Sequence, residues 1–271
     1  MNIGLIYFSP TGNTAKIVDT VKKKLVRLNN EVNEFDITNY PERQKLIELN
    51  KFDAFLFGFP IYYWRAPRTI REWLTTLDGG GRKCSVFFTY GGIHVGIARQ
   101  DIKEILEKQN FILVSIAKFV ASHSFNISGW KANLNRPNET DLMVAEEFAA
   151  KTYEIFTKNK HESIVLKPPK RAAEEVDRIE TTSKRSIPTP MREIENCSMC
   201  RTCEQICPTN SMNADRGKPN RKTCIRCFRC VINCPDNVLK ARDMSAHYKL
   251  LKERTQLTDE MINSKKSKYY V

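Results

Sequence analysis

The residues best placed to do chemistry are eight cysteines in two copies of one pattern. Cys197, Cys200, Cys203 and Cys207 are separated by two, two and three residues and followed by Pro208. After 27 residues Cys224, Cys227, Cys230 and Cys234 repeat the spacing before Pro235. Three thiolates at intervals of three wrap a short loop around one iron–sulfur cubane, and the fourth lies beyond the loop, where the proline redirects the chain. Zinc sites use two separated Cys-x2-Cys pairs, and disulfide frameworks belong to small exported domains. Two complete runs therefore point to [4Fe–4S] chemistry. A second constellation, Ser9-Pro10-Thr11-Gly12-Asn13-Thr14, follows an apolar run and opens a helical pattern. Hydroxyls at Ser9, Thr11 and Thr14, together with N–H groups at a helix N-terminus, suit a phosphate monoester, and Gly12 lets the backbone approach closely. No lysine follows a GxxxxG run, so this is not a nucleoside triphosphate loop.

With its hydroxyl residues, Gly12 and Asn13 directly before a helix, the Ser9–Thr14 loop resembles the phosphate loop of the flavodoxin family. The resemblance implies FMN and an α/β, flavodoxin-like, doubly wound parallel sheet of five strands in the order 2-1-3-4-5. In that topology the carboxyl ends of strands one, three and four meet at the switch point where flavodoxin itself holds FMN. The corresponding loops run Pro60-Ile61-Tyr62-Tyr63-Trp64 and Thr89-Tyr90-Gly91-Gly92. They offer aromatic faces to a planar isoalloxazine and glycines for close approach to its edge. The cysteine block resembles bacterial two-cluster ferredoxins in every cysteine and both prolines, with Ser211, Met212 and Asn213 departing from the small and branched apolar residues common after the first motif. This second resemblance implies crossed ligation. Cys197, Cys200, Cys203 and Cys234 would hold one [4Fe–4S] cluster, and Cys224, Cys227, Cys230 and Cys207 the other. As a whole the chain resembles the fused flavodoxin–ferredoxin electron-transfer proteins found mainly in anaerobes.

The elements that must position these residues follow from periodicity. Buried strands are predicted over 3–8, 53–58, 84–89 and 111–120, with a weaker one over 32–37. Helices are predicted over 13–28, 67–77, 96–108 and 141–158, the last capped by Asp141. The alternation requires a parallel sheet covered on both faces. It makes 1–160 one FMN-binding domain. Residues 161–190, rich in Lys, Arg and Glu with four prolines, read as a linker or wrapping segment. Residues 191–243 form a smaller α+β ferredoxin-like domain, and 244–271 a basic tail, a helix and then a frayed end.

The 271 residues carry 44 basic and 31 acidic side chains, a formal charge of +13. Two four-thiolate clusters offset about four of these charges and an FMN phosphate up to two. The remainder reads as a solvated basic surface, with an acidic redox partner as the second reading. A nucleic-acid or membrane module built on the tail is set aside, as no apolar run reaches the length of a membrane span. The N-terminus lacks a basic n-region and reads as a strand, which implies a cytoplasmic protein. Cys84 reads as a buried structural thiol. His94 and Arg65 flank the expected flavin loops, whereas His123, His161 and His247 belong to no constellation. The function expected is electron relay between two [4Fe–4S] clusters and FMN, with unidentified redox proteins as donor and acceptor. The alternative is a flavin reductase whose clusters feed FMN for reduction of a small molecule. The oligomeric state is left open by the sequence.

Overall fold

The computed structural model describes residues 1–158, 162–193 and 196–271; His161 lies outside the described residues. Strands β1 (Asn2–Tyr7), β2 (Glu31–Asp36), β3 (Ala54–Pro60), β4 (Lys83–Tyr90) and β5 (Ile112–Val120) pair in parallel in the order 2-1-3-4-5. Every residue of β3 and β4 is buried, as strands covered on both faces must be. Successive side chains of β3 enter opposite cores. Phe55, Phe57 and Phe59 pack with Ile70 and Leu74 of α2 (Arg68–Leu74) and Ile102 and Leu106 of α3 (Ala98–Lys108). Ala54 and Leu56 face Ile17, Val21 and Leu25 of α1 (Asn13–Arg27) and Phe148 of α4 (Glu139–Phe156).

Two expectations change, and of the two readings of residues 161–190 the described part, 162–190, follows the wrapping one. Helix α4 begins before Asp141, because Asn138 is the cap. The Asn138 side chain accepts from Asp141 N at 3.3 Å while the Asp141 carboxylate accepts from Asn138 N at 2.9 Å. Asp141 is thus the return arm of a capping box, and it also ion-pairs with Arg136. Residues 162–190 contain α5 (Ala173–Ser186), which is ion-paired to Arg68 and Arg71 of α2 and buries Val176 and Glu180. Ahead of it, Ile164 N donates to Leu113 O at 2.7 Å and Gln100 Nε2 to Lys167 O at 2.8 Å. The segment wraps the domain rather than hanging between two. The tail is not frayed. It forms α8 (Ser245–Thr255), α9 (Asp259–Asn263) and a sixth, antiparallel strand, β10 (Lys268–Tyr270), on the edge of β5. Just before β10, Ser267 Oγ accepts from Val120 N at 2.9 Å and donates to Asp141 Oδ1 at 2.5 Å.

The cysteine-rich part is small. Strand β6 (Met191–Arg192) pairs with β9 (Leu239–Lys240), and β7 (Met212–Asn213) with β8 (Lys218–Pro219), around the short helices α6 (Thr202–Gln205) and α7 (Arg229–Ile232). A third core joins this part to the sheet. Phe125, Trp130 and Ala132 pack with Ile187, Phe228, Met244, Tyr248 and Ile262.

Candidate functional site

The repeat in the cysteine sequence is also a repeat in backbone conformation. Met199, Arg201 and Asn210 adopt left-handed φ values of 55°, 57° and 48°, and 27 residues later Arg226, Phe228 and Asn237 adopt 56°, 58° and 52°. Left-handed residues interleaved through a loop turn successive N–H groups toward one centre, a geometry that suits an anion. Here the donors reach sulfur. The backbone N–H groups of Arg226 and Arg229 serve Cys224 and Cys227, that of Thr202 serves Cys200, and Ser211 N lies 3.2 Å from Cys207 Sγ.

The thiols fall into two sets. Cys197, Cys200, Cys203 and Cys234 line one cavity, floored by Met212, Val238 and Leu239. Cys207 faces Cys224, Cys227 and Cys230 closely enough for their charges to interact, and Cys203 of the first set reaches Cys230 as well. Burial pushes the Cys230 thiol well above its ordinary value and Cys227 to about 12. Cys224, Cys227 and Cys230, all pushed up by burial, therefore become stable as thiolates only beside a cationic core. Among the described residues no three His, Cys, Asp or Glu side chains converge on a single ion position. The first set rings a volume, so the donors fit a polynuclear core. The two sets differ in exposure: Cys224 and Cys227 are buried, whereas Cys200 is exposed.

The loops expected to hold FMN lie at the carboxyl ends of β1, β3 and β4. Gly12, at φ 83°, is the N-cap of α1. Ser9 Oγ accepts from Ala15 N at 2.9 Å, Thr14 and Thr89 share a hydroxyl hydrogen bond of 2.8 Å, and Asn13 Nδ2 donates to Ser122 O at 2.9 Å. The Thr11 hydroxyl has no protein partner among the described residues. After β3 the chain reverses through Tyr62–Arg65, with Tyr63 and Trp64 both left-handed, at φ 51° and 72°. Such a turn normally takes Asn-Gly; two aromatics there carry backbone strain of the kind found at functional sites.

Ile61, Tyr62, Tyr63, Trp64, Tyr90 and Gly91 line a cavity of about 130 Å3. Pro60, Thr89 and Gly92 do not. Gly92 is needed elsewhere, because a Cβ there would strike the Asn133 side chain and come within 2.7 Å of Ile262 O. His94 reaches the cavity and packs 5.0 Å from the Trp64 ring. Arg65 is spent on Asp101 and Asp177, and Cys84 is fully buried in the sheet.

The far walls were not legible in the sequence. They comprise His123 and Trp130 from the loop after β5, Ser183 and Ile187 at the end of α5, Ile225 and Arg226 from the second cysteine loop, and His247 from α8. His123 stacks on Trp130 at 4.4 Å, and Trp130 on Tyr248 at 4.8 Å. Burial holds the His123 imidazole down at about 4, hence neutral. Five lining groups keep a buried polar atom without a partner among the described residues: Tyr62 Oη, Tyr63 Oη, Trp130 Nε1, Arg226 Nε and His247 Nδ1. Buried polar atoms are rarely left unpaired, so the cavity suits a flat ligand with several hydrogen-bonding groups, which an isoalloxazine is.

The second cysteine loop is packed against these flavin loops. Ile225 and Cys227 share a core with Ile61 and Tyr62, and the Tyr62 and Tyr63 hydroxyls are pushed up by burial beside Cys227 and Cys224. Arg229 Nη1 donates to Ser9 O at 3.3 Å and Pro10 O at 3.1 Å. The first motif touches the sheet too, through Arg43, which donates to Ile37 O at 2.7 Å and to the Pro208 carbonyl.

Comparison with known proteins matches two separate stretches of the chain. Residues 4–123 match the family model of a flavodoxin domain, and residues 189–256 that of a 4Fe-4S dicluster domain. Similar solved structures include a flavodoxin from the domain Archaea, 16% identical over 58% of this chain and 100% of its own, with a TM-score of 0.45. Oxidised Flavodoxin 1 from Bacillus cereus is 18% identical over 57% and 98%, at 0.45. The flavodoxin from Fusobacterium nucleatum bound to flavin mononucleotide is 15% identical over 58% and 99%, at 0.43. No curated protein matches the chain. No helix among the described residues is long and apolar enough to cross a membrane. The chain thus joins a flavodoxin domain to a 4Fe–4S dicluster domain, a fused flavodoxin–ferredoxin architecture whose halves imply FMN, iron–sulfur clusters and redox electron transfer.

Proposed function

We propose that the protein relays electrons within one chain along the path distal cluster, proximal cluster, FMN. The observation that carries this reading is the shared core of Ile225 and Cys227 with Ile61 and Tyr62, which sets one thiol group against the flavin loops. Cys207, Cys224, Cys227 and Cys230 hold the proximal cluster. Cys197, Cys200, Cys203 and Cys234 hold the distal one, where the exposed Cys200 makes that end the place at which a redox partner docks. When bound, the clusters supply one-electron carriers and FMN a centre that takes one or two electrons.

The residues of the chain do the rest. Ser9, Thr11, Gly12, Asn13 and Thr14 bind the phosphate, with Thr89 fixing the Thr14 hydroxyl. Pro60 ends β3 and leads into Ile61, Tyr62, Tyr63 and Trp64, which with Tyr90, Gly91 and Gly92 form the ring loops. Second-motif and α5 residues form the far wall of the cavity. The second cysteine loop in the cavity wall favours relay over reduction of a separate small molecule, because it sets Ile225 and Arg226 where the flavin is expected. Anaerobically purified protein should contain about eight irons and one FMN per chain. About two zincs with no visible charge-transfer absorbance would overturn the cluster assignment.

A further inference from the structure

We propose that the flavin site is composite and closed by the second cysteine loop: Arg229 supplies the cation at the phosphate end and Arg226 a buried cation at the ring, so that FMN binding depends on the docked, iron-loaded loop. This rests on the FMN and cluster assignment above. The phosphate loop itself, Ser9–Thr14, contains no lysine or arginine. Arg229 brings one from the other domain. Its Nη1 is held by the Ser9 and Pro10 carbonyls, and its Nε is buried without a partner among the described residues. A guanidinium with one edge fixed on the loop and a spare donor suits a phosphate oxygen.

Arg226 makes the same case at the ring. It is 2% exposed. Its Nη atoms donate to carbonyls of Arg221 at 3.0 Å, Lys184 at 2.6 Å and Cys224, and no carboxylate pairs with it among the described residues. Arg226 lines the ring cavity, and its Nε is also unpaired among the described residues. The Cys224 thiol is the acidic group that faces it, and a buried cation is costly unless its remaining donors are also satisfied. The carbonyl-bearing edge of an isoalloxazine, which gains negative charge on reduction, would offset that cost. Both arginines lie between thiol ligands, and Arg226 is one of the left-handed residues that shape the loop. A loop of this kind takes its form around its metal core. Iron loading and FMN binding are then linked, each strengthening the other by the same factor.

The test uses the full chain, loaded anaerobically, with FMN and riboflavin as probes. In Arg229→Met the iron count should be unchanged. FMN affinity should fall about 10- to 150-fold, the loss of a charge-assisted hydrogen bond. Riboflavin, which lacks the phosphate, should bind within about twofold of the parent, and Arg229→Lys should recover part of the FMN affinity. A parallel loss of both ligands, or no loss of either, overturns the role of Arg229. In a second arm, iron-stripped wild-type protein should bind FMN at least tenfold more weakly than the reconstituted protein, and FMN should slow iron loss to a chelator. Equal affinity in both states overturns the linkage and leaves the cofactor assignment standing. Failure of the iron-loaded wild type to bind either flavin overturns the assignment itself.

Discussion

Replacing Glu180 with alanine asks whether α5 is held as a strap by charge. The carboxylate is almost wholly buried. It accepts from Arg71 Nη2 at 3.0 Å and Lys184 Nζ at 2.7 Å, with Arg68 at 3.8 Å. The Arg71 side chain is itself only 13% exposed. Removing Glu180 leaves Arg71 with Asp101, 3.9 Å away, as its remaining counter-charge. Breaking one half of a buried pair costs roughly 3–5 kcal/mol, and the surviving Asp101 sets the expected value near the lower bound. Against a total stability of about 5–15 kcal/mol, that is enough for α5 to leave α2 before the sheet unfolds. Trypsin should then cut at Arg178 and Lys184 well before the rest of the chain. FMN affinity should fall as well, because Ser183 and Ile187 line the cavity. The double variant Arg71→Met/Glu180→Leu removes both charges and should regain most of the loss in urea titrations. If Glu180→Ala stays within about 0.5 kcal/mol of the parent and resists trypsin equally, charge does not hold the strap, and the apolar contacts of Val176 do.

Other consequences are open to direct measurement. His123 is neutral in the fold because burial depresses it to about 4 from 6.5; the unfolded chain takes up its proton first as pH falls. The stability this residue contributes is present above pH 6.5 and lost between 6.5 and 4, roughly 3 kcal/mol in all. Urea midpoints at pH 7 and 4.5 should therefore separate far less in His123→Gln than in the parent. Thr11→Val should weaken FMN by about 10- to 150-fold and leave riboflavin nearly unaffected, read by fluorescence quenching; equal losses would indicate a folding defect. Cys207→Ser should impair the cluster held by Cys224, Cys227 and Cys230, and Cys234→Ser the one held by Cys197, Cys200 and Cys203. Iron counts and low-temperature electron paramagnetic resonance would expose the opposite assignment.

What the sequence made legible was local or periodic. Continuous apolar runs such as Ala54–Phe59 announce strands buried on both faces, and the cysteine spacing carries its own geometry. What it hid depends on partners distant in the chain. Helix α5 buries the charged Glu180 beside a single apolar residue, Val176, and Asp177 and Glu180 pair with Arg65 and Arg71, more than 100 residues earlier. Strand β10 has only three residues, too few for an alternation to register, and it is fixed by β5 and by Ser267 on Asp141. His123 and His247 gain a setting only because Trp130 stacks with both. Arg229 reads as one more basic residue until the fold sets it on the Ser9 and Pro10 carbonyls. Asp141 misled because an N3 aspartate of a capping box has the same residue type as a cap.

The central claim is that electrons cross between clusters and flavin inside one chain, and stopped-flow absorbance tests it most directly. The clusters are reduced rapidly under anaerobic conditions, and flavin reduction is followed over a wide range of protein concentration. The packing of Ile225 and Cys227 on Ile61 and Tyr62 predicts a flavin phase whose rate does not change with concentration. Because the wrapping segment, the third core and β10 hold the parts together, the rate should also survive a single cut in the exposed stretch Lys167–Arg171. A flavin phase that accelerates in proportion to protein concentration in the intact chain would show that the two centres communicate only between molecules, and would contradict the account.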